Sequence, residues 1–368
     1  MGATYVFKLA PRSAFHFGLR GVGIEETEAF CPADTLFSAL CLTLREWEPE
    51  GNHALEAWLA QFPPLDGQGP PLRLSSAFPY AGDVLFFPKP LLPANLPAGQ
   101  QAAGAKVLKK IAFVSAGIFE AWIAQQDLSG ELPPDQLLHG GRVWVTAKEH
   151  DGLRELCKHS AGPIRLWDTQ AAPRVTVDRA TSRSAVYQAG VVRFREGAGL
   201  FTLIEFLAAN GAAAETERAR LATLLRVLGH SGLGGERSSG YGQFEVEAAE
   251  PFAGWGMEPG GLFLTLAPYH PTQAEVAAGV LAEGASYTLL TRRGWVGSPD
   301  GPALRRRLVR LLGEGSVLHN TGQTGYGDLV AVTPHDEGDR KALGHQVWRY
   351  GIAFPVPAAK PAEREEED

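Results

Sequence analysis

The chain has 368 residues, of which 45% are hydrophobic and 20% charged, a composition typical of a globular protein and not of a disordered one. This length predicts about two domains. No apolar run is long enough to cross a bilayer and no secretion signal precedes the first strand, so we expect a cytoplasmic protein. The three cysteines lack C-x-x-C spacing, which argues against a disulfide framework and against a zinc site.

The net charge of −7 speaks against nucleic acid, but the charge is unevenly distributed. The last six residues, 363–368, carry five acids and one arginine, and we expect this tail to be disordered. Residues 172–195 hold five arginines and one aspartate, and residues 292–310 hold six arginines and one aspartate. Arginine favours bidentate contacts with phosphate, although a solvated surface would also explain each stretch.

The first elements alternate between strand and helix. Thr4 to Leu9 alternates like a strand, and Asp34 is predicted to cap a helix whose apolar stripe runs to Trp47. A glycine-bearing loop, residues 15–23, joins the two. A proline-rich insertion over residues 63–97 is predicted to hold short strands near Val84 to Phe87.

The next elements complete a unit. Val191 to Phe194 and Phe201 to Phe206 are predicted to pair as a hairpin. Glu215 to Leu228 is an amphipathic helix that Gly229 should stop, and a strand at Gln243 to Val246 follows. The order strand, helix, two strands, helix, strand is that of a ferredoxin-like, or RRM-like, unit.

A second such unit is predicted after residue 255. Its predicted elements are a helix at Ala274 to Leu281 and strands at Leu262 to Leu266, Tyr287 to Arg292, Leu308 to Leu312, Ser316 to Leu318, Asp328 to Val332 and Val347 to Phe354. The six residues that begin at Ser239 are echoed by the six that begin at Thr324, which favours duplication. We therefore predict an α+β protein of two tandem RRM-like units, residues 1–250 and 251–357, followed by an acidic tail at 358–368.

Signatures of catalysis are missing from the sequence. P-loop, nucleophile-elbow and metalloprotease motifs are absent, and no histidine pair has the spacing of a metal site. No metal or other cofactor is expected. His16 could act as acid or base in RNA cleavage, but a packed histidine is the plainer interpretation.

The most informative segment is residues 232–242, which we call the glycine-rich loop. Five glycines there would let a phosphate backbone approach the chain closely. Arg237, Ser238 and Ser239 offer donors to phosphate or 2′-hydroxyl groups, and Tyr241 could stack on a base or pack against the sheet.

The segments named so far resemble a known family. The glycine-rich loop looks like that of the RAMP superfamily of CRISPR-associated proteins, and Asp34 to Leu40 looks like the first helix of its type III members. Val177 to Thr181, with Ser184 and Tyr187, is similar to the D-R-x-T segment found midway along the sequences of the family. With the closing Tyr350 to Phe354, the resemblance points to the 5′-tag-binding subunits (the fourth Csm subunits) of type III-A interference complexes. It spans most of the sequence but leaves the proline-rich insertion unmatched.

The resemblance implies a subunit that is not an enzyme. Such subunits hold the repeat-derived 5′ tag of the guide RNA (crRNA), dock on the large cyclase/polymerase-like subunit, adjoin a backbone RAMP subunit and meet target RNA only indirectly, without a membrane. The loops and the resemblance together assign RNA contacts to Gly18, Arg20, Asp34, Thr35, Arg179, Arg183, Gly232, Gly234, Gly235, Arg237, Ser238, Ser239 and Tyr241.

Three alternatives stay open at this stage. One is a RAMP-type endoribonuclease that processes precursor crRNA with His16. Another is the equivalent subunit of a type III-B complex. The third is a scaffold that binds only protein, whose arginine-rich stretches would meet acidic partners.

Overall fold

The structure is a computed structural model. It describes residues 2–18, 26–64, 69–96, 101–129, 132–157, 162–177, 184–207, 212–255, 260–296, 304–343 and 345–361. The helices in these ranges are α1 (Ala33–Trp47), α2 (Asn52–Leu59), α3 (Gln101–Lys110), α4 (Ala116–Ile123), α5 (Ala147–Leu156), α6 (Ala212–Ser231), α7 (Gln273–Ala277) and α8 (Glu337–Leu343).

The strands confirm the α+β class. The first twelve are β1 (Ala3–Pro11), β2 (Leu72–Leu74), β3 (Phe78–Ala81), β4 (Val84–Pro88), β5 (Phe113–Ser115), β6 (Leu137–Leu138), β7 (Val143–Trp144), β8 (Trp167–Val177), β9 (Ser184–Phe194), β10 (Ala198–Phe206), β11 (Phe244–Val246) and β12 (Glu250–Pro251). The last seven are β13 (Leu262–Thr265), β14 (Leu289–Arg292), β15 (Val309–Leu312), β16 (Val317–His319), β17 (Leu329–Ala331), β18 (Trp348–Tyr350) and β19 (Pro355–Ala358).

The main sheet runs in the order β11-β1-β10-β3-β4-β5-β7-β6. Its first four strands are antiparallel to their neighbours, with Ala3 opposite Phe206 and Leu9 opposite Leu200 in the central pair. Along the sequence these strands and helices follow the order β1, α1, β3, β10, α6, β11, in which β3 takes the place of the predicted strand at Val191 to Phe194. The spatial order of the four strands is fourth, first, third, second. The alternation in β1 is also confirmed, because Phe7 and Leu9 are fully buried.

Helix α1 differs from its prediction at both ends. Its N-cap is Pro32, which has no cap hydrogen bond from a side chain, so the assignment of Asp34 as N-cap was wrong. At the other end Trp47 is 55% exposed, while Leu40 and Leu44 are buried. The apolar stripe therefore stops one turn early, at Leu44.

Helix α6 continues through Gly229 to Ser231 and is not stopped by the glycine. A Cβ atom on Gly229 would lie 2.3 Å from the carbonyl oxygen of Phe244. The glycine therefore allows the helix to pack closely against β11. Gly229 is needed for this packing and does not end the helix.

The predicted hairpin of residues 191–206 was also wrong. Strand β9 pairs with β8 over eleven residues, from Trp167 opposite Phe194 to Val177 opposite Ser184, whereas β10 joins the main sheet. The β8–β9 hairpin is attached at its base, where Val192 is buried and bridges Phe15. Farther along, Val175 and Val186 are 58% and 70% exposed, so this part of the hairpin projects from the body.

The C-terminal part forms a three-stranded sheet, β16-β13-β19, beside two hairpins, β14–β15 and β17–β18. The predicted final strand is broken, because 351–354 separate β18 from β19. This part packs on the main sheet: the backbone N–H of Leu74 donates to the Tyr350 hydroxyl at 2.9 Å, and Arg73 donates to the Thr324 carbonyl. One apolar core includes residues of both parts, and the proposed duplication and its boundaries stay predictions.

Candidate nucleic-acid interface

The glycine-rich loop packs against the segment that follows β1. The N–H of Gly235 donates to the carbonyl oxygen of His16 at 2.9 Å, and that of Gly242 donates to the carbonyl oxygen of Ala14 at 2.8 Å. A Cβ atom on Gly234, whose φ is +96°, would lie 2.5 Å from the His16 carbonyl oxygen.

The loop is therefore not the open phosphate cradle that the sequence suggested. The N–H of Gly232 likewise donates inside the protein, to Leu228 at 2.7 Å. These three glycines permit close contact between two segments of the same chain, and donors already bonded inside the protein offer little to a phosphate. Gly240 differs, because a Cβ atom there would meet nothing within 4 Å.

The exposed part of the loop is a 3₁₀ turn, Arg237–Ser239, whose three side chains face solvent. The turn lies next to the β8–β9 hairpin. The Arg174 guanidinium sits 4.6 Å from the ring centroid of Tyr241, and the Tyr187 hydroxyl donates to the carboxylate of Glu236 at 3.3 Å. One face of the Tyr241 ring is thus covered by a cation of the protein itself, and any stacked base must use the other face.

His16 is 9% exposed, and its Nδ1 lies 2.5 Å from the carbonyl oxygen of Gly190 in β9. His230, the other histidine weighed for RNA cleavage, is exposed at the end of α6. Within the described part of the protein no contact joins the two rings. His16 is therefore packed inside the protein, which is the plainer of the two interpretations of the sequence.

Asp34 is buried and serves an internal ion pair. It is 1% exposed, accepts a hydrogen bond from Nη1 of Arg349, and lies 3.6 Å from Nε of Arg292. The assignment of Asp34 to RNA contact was therefore wrong, because a carboxylate enclosed by two guanidinium groups is not available to a ligand and would repel phosphate. Three assigned arginines, Arg20, Arg179 and Arg183, lie outside the described residues.

A cavity of about 570 Å³ opens beside the first turn of α1, and we call it the arginine cavity. Its described lining residues are Gly18, Asp34, Thr35, Ser38, Thr291, Arg292, Arg293, Gly294, Trp295, Arg305, Arg306 and Arg349. The arginine-rich stretch at 292–310 indicated this region in advance, but Arg349, which is 5% exposed, was missed because an isolated arginine in a strand carries no pattern.

A smaller cavity of about 250 Å³ reaches the glycine-rich loop. It shares Gly18, Thr35 and Arg292 with the arginine cavity, so the two adjoin, and Gly234 and Gly235 lie on its other side. Four of the residues assigned to RNA from the sequence, two from the first loop and α1 and two from the glycine-rich loop, therefore border one depression.

Burial shifts the pKa values of groups in this depression. Burial, and then repulsion by Arg349, lowers the pKa of Arg306 to about 10. Burial raises the pKa of Glu28 and that of Glu314, although a hydrogen bond from Ser76 opposes the shift at Glu314. In each case the charged form is the one that burial disfavours, so the depression holds charge that is incompletely solvated.

The described residues contain no group of three or more His, Cys, Asp or Glu side chains that could hold a metal ion. None of the helices described is both long enough and apolar enough to span a membrane.

The chain is similar to known CRISPR proteins. Residues 258–358 match the CRISPR Csm4 C-terminal domain. The CRISPR system Cms protein Csm4 of Mycobacterium tuberculosis (strain CDC 1551 / Oshkosh) is 28% identical over 354 residues, covering 94% of this chain and 96% of its own length. The chain is therefore similar to Csm4 proteins along nearly its whole length, and its C-terminal part matches the model of their C-terminal domain.

A second Csm4 protein and two solved structures show the same similarity. The Csm4 protein of Thermococcus onnurineus (strain NA1) is 27% identical over 340 residues, with 89% of this chain and 92% of the relative covered. A crystal structure of a Csm3–Csm4 subcomplex of the type III-A CRISPR-Cas interference complex matches with a TM-score of 0.63 and 18% identity, covering 97% and 99% of the two chains. A Csm1–Csm4 cassette with pppApA matches with a TM-score of 0.54 and 20% identity over 98% and 99%.

Proposed function

We propose that this protein is an RNA-binding subunit of a type III-A CRISPR interference complex and that it holds the 5′ tag of the crRNA. The observation that supports the proposal is the depression bordered by Thr35, the glycine-rich loop and the arginine cavity. The exposed Arg237 belongs to that loop, and the β8–β9 hairpin lies beside it. Single-stranded RNA is bound by such grooves of positive charge with a few aromatic rings, and an acidic net charge does not oppose a local basic path.

The subunit acts in this proposal without catalysis of its own. Its partners are a large cyclase/polymerase-like subunit of the Csm1 type and an adjacent backbone subunit of the Csm3 type, because the matched solved structures contain Csm4 together with Csm3 or Csm1. Target RNA is met only through the assembled complex, and the site of action is the cytoplasm.

The test measures binding of the purified full-length protein to a labelled RNA with the repeat-derived tag sequence, with a scrambled RNA of equal length for comparison. We expect tighter binding to the tag RNA and an ultraviolet crosslink to the glycine-rich loop or the β8–β9 hairpin. Equal affinity for both RNAs, with crosslinks elsewhere, would contradict the tag assignment. Absence of any RNA crosslink in the assembled complex would favour the protein scaffold.

A further inference from the structure

The arginine cavity carries an excess of positive charge. Five arginines line it, and Asp34 is the one carboxylate among its described lining residues. That carboxylate is already committed to Arg349 and Arg292. A second amino group of Arg349 donates to the backbone carbonyl of Arg293 at 2.8 Å. Charge compensation inside the cavity is therefore incomplete.

Arg306 is the clearest case of a positive charge in the cavity that lacks a negative partner. Its described polar contact is a 3.4 Å hydrogen bond from Nη1 to the Ser38 hydroxyl, and no carboxylate pairs with it in the described structure. The Nε atoms of Arg292, Arg306 and Arg349 are all buried without a hydrogen-bond acceptor. Buried guanidinium donors without acceptors are costly, because each gives up hydration and gains nothing in return. An anion that enters the cavity would supply acceptors to Arg292 and Arg306.

The size of the cavity indicates what kind of anion would fit. A volume of about 570 Å³ is far more than one phosphate or carboxylate group fills, and lies in the range that holds a small organic ligand. Trp295 lines the cavity and is 58% exposed, with Arg305 stacked 4.7 Å from its ring centroid. An aromatic face beside clustered guanidinium groups is suited to a nucleotide, whose base stacks while its phosphate accepts from arginine.

We propose that the arginine cavity binds one nucleotide, with its phosphate held by Arg292 and Arg306 and its base against Trp295. Resting on the proposed function, we assign this nucleotide to the bound RNA, which places a second contact beyond the glycine-rich loop. Arg349 and Asp34 act as positioning residues, since Asp34 pairs with both Arg349 and Arg292 and so holds the Arg292 guanidinium in place. An acidic side chain of a partner protein would satisfy the charges but would leave most of the volume and the aromatic face unused.

The first experiment titrates the full-length protein with uridine and adenosine 5′-monophosphates, with the corresponding nucleosides, with inorganic phosphate, and with a glutamate-rich peptide. We expect the nucleotides to bind at least tenfold more tightly than the nucleosides, and to bind more tightly than phosphate alone. Arg306→Gln should lose about tenfold in nucleotide affinity, and Trp295→Ala should lose severalfold with Trp295→Phe restoring most of it. Arg307→Gln is the control, because this exposed neighbour lies outside the cavity.

Folding of the variants is checked by thermal melting. Because Arg306 is buried without a countercharge, Arg306→Gln should melt at or above the temperature of the parent protein, while nucleotide should raise the melting temperature only of the parent. Equal nucleotide affinity of parent and Arg306→Gln overturns the inference, as does tighter binding of the acidic peptide than of any nucleotide.

The second experiment separates this inference from the proposed function. If tag RNA binds the parent protein and Arg306→Gln equally well, the cavity contact is overturned while the tag-binding function stands. If nucleotides bind through Arg306 but tag RNA does not bind, the nucleotide site stands and the tag-binding function is overturned. A 4-thiouridine in the tag that crosslinks to Trp295 supports both.

Discussion

At the residue scale, the most instructive side chain is Asp34, which a sequence pattern marks as a helix cap and the structure buries. It faces Arg349 and Arg292, which lie 315 and 258 positions farther along the sequence. Pairing over such distances leaves no local pattern, so the partners of Asp34 could not be predicted from sequence. The four residues that border the depression could be predicted, because glycines and hydroxyl residues cluster in loops beside a helix start.

Loss of the Asp34 carboxylate should destabilise the fold. In Asp34→Asn the buried Arg349 and the half-buried Arg292 lose their shared anion, and breaking one side of a buried pair typically costs about 3–5 kcal/mol. Urea unfolding followed by circular dichroism measures the change, with Asp83→Asn, at an exposed turn between β3 and β4, as the control. A loss below about 1 kcal/mol would show that the Asp34 carboxylate does not hold this wall together.

Gly240 is where a charge placed in the glycine-rich loop tests RNA approach without a collision. Its φ of +82° is one that asparagine and aspartate tolerate better than other side chains, and a Cβ atom there meets nothing within 4 Å. We expect Gly240→Asp to weaken tag-RNA binding severalfold at low salt, because its carboxylate repels phosphate. Gly240→Asn has nearly the same side-chain shape without the charge, so it should bind tag RNA much more tightly than Gly240→Asp does. Gly234→Asp is a poor test, because its side chain would strike the His16 carbonyl and disturb the loop itself.

At the element scale, local periodicity predicted β1, α1 and α6 well, since each buries one regular face against the sheet. It failed for β9. Its buried residues Val191 and Val192 are followed by the turn residues Gly197 to Gly199 and then by β10, so nearness along the sequence suggested a hairpin between the two strands. The true partner, β8, lies on the other side of 178–183. Strand β10 instead pairs with β1, and Val192 bridges Phe15; both are long-range contacts that no local pattern encodes.

Shortening the β8–β9 hairpin should weaken RNA binding without unfolding the protein. Joining Ala172 to Ala189, which are paired across the hairpin, through an Asn-Gly turn keeps the buried base and removes the exposed part. Arg174, Arg179 and Arg183 are lost, so if all three contact phosphate, the slope of log affinity against log salt should fall by about 2 for single-stranded RNA.

A point variant refines the hairpin experiment. Arg237→Ala, in the exposed turn beside the hairpin, should reduce the same slope by about 0.7, and Arg226→Ala on the exposed face of α6 should leave it unchanged. The phosphate contacts would be contradicted if the shortened variant unfolds normally and its salt dependence of RNA binding is unchanged. The arginines of the hairpin would then lie on a solvated surface.

At the scale of the whole molecule, net charge is a poor guide to partners. The protein carries −7 overall, of which the residues from 363 onward contribute −4, while the arginine cavity gathers five guanidinium groups against one carboxylate in its described lining. Steering of RNA depends on the local field and not on the sum. The arrangement is that of a binding surface on a protein whose remaining surface stays acidic.

The isolated protein is not expected to cut RNA. Metal-independent RNA cleavage needs a base for the 2′-hydroxyl and an acid for the leaving oxygen within reach of one phosphate. His16 is almost buried and its Nδ1 is engaged by Gly190, while His230 is exposed at the end of α6. We therefore expect no site-specific cleavage when the purified protein is incubated with labelled repeat RNA in EDTA, and no change in crRNA maturation in cells that carry His16→Ala. The exposed His53→Ala variant is the control for altered histidine content. Cleavage at one position that is lost in His16→Ala or His230→Ala, and kept in His53→Ala, would establish a RAMP-type endoribonuclease instead.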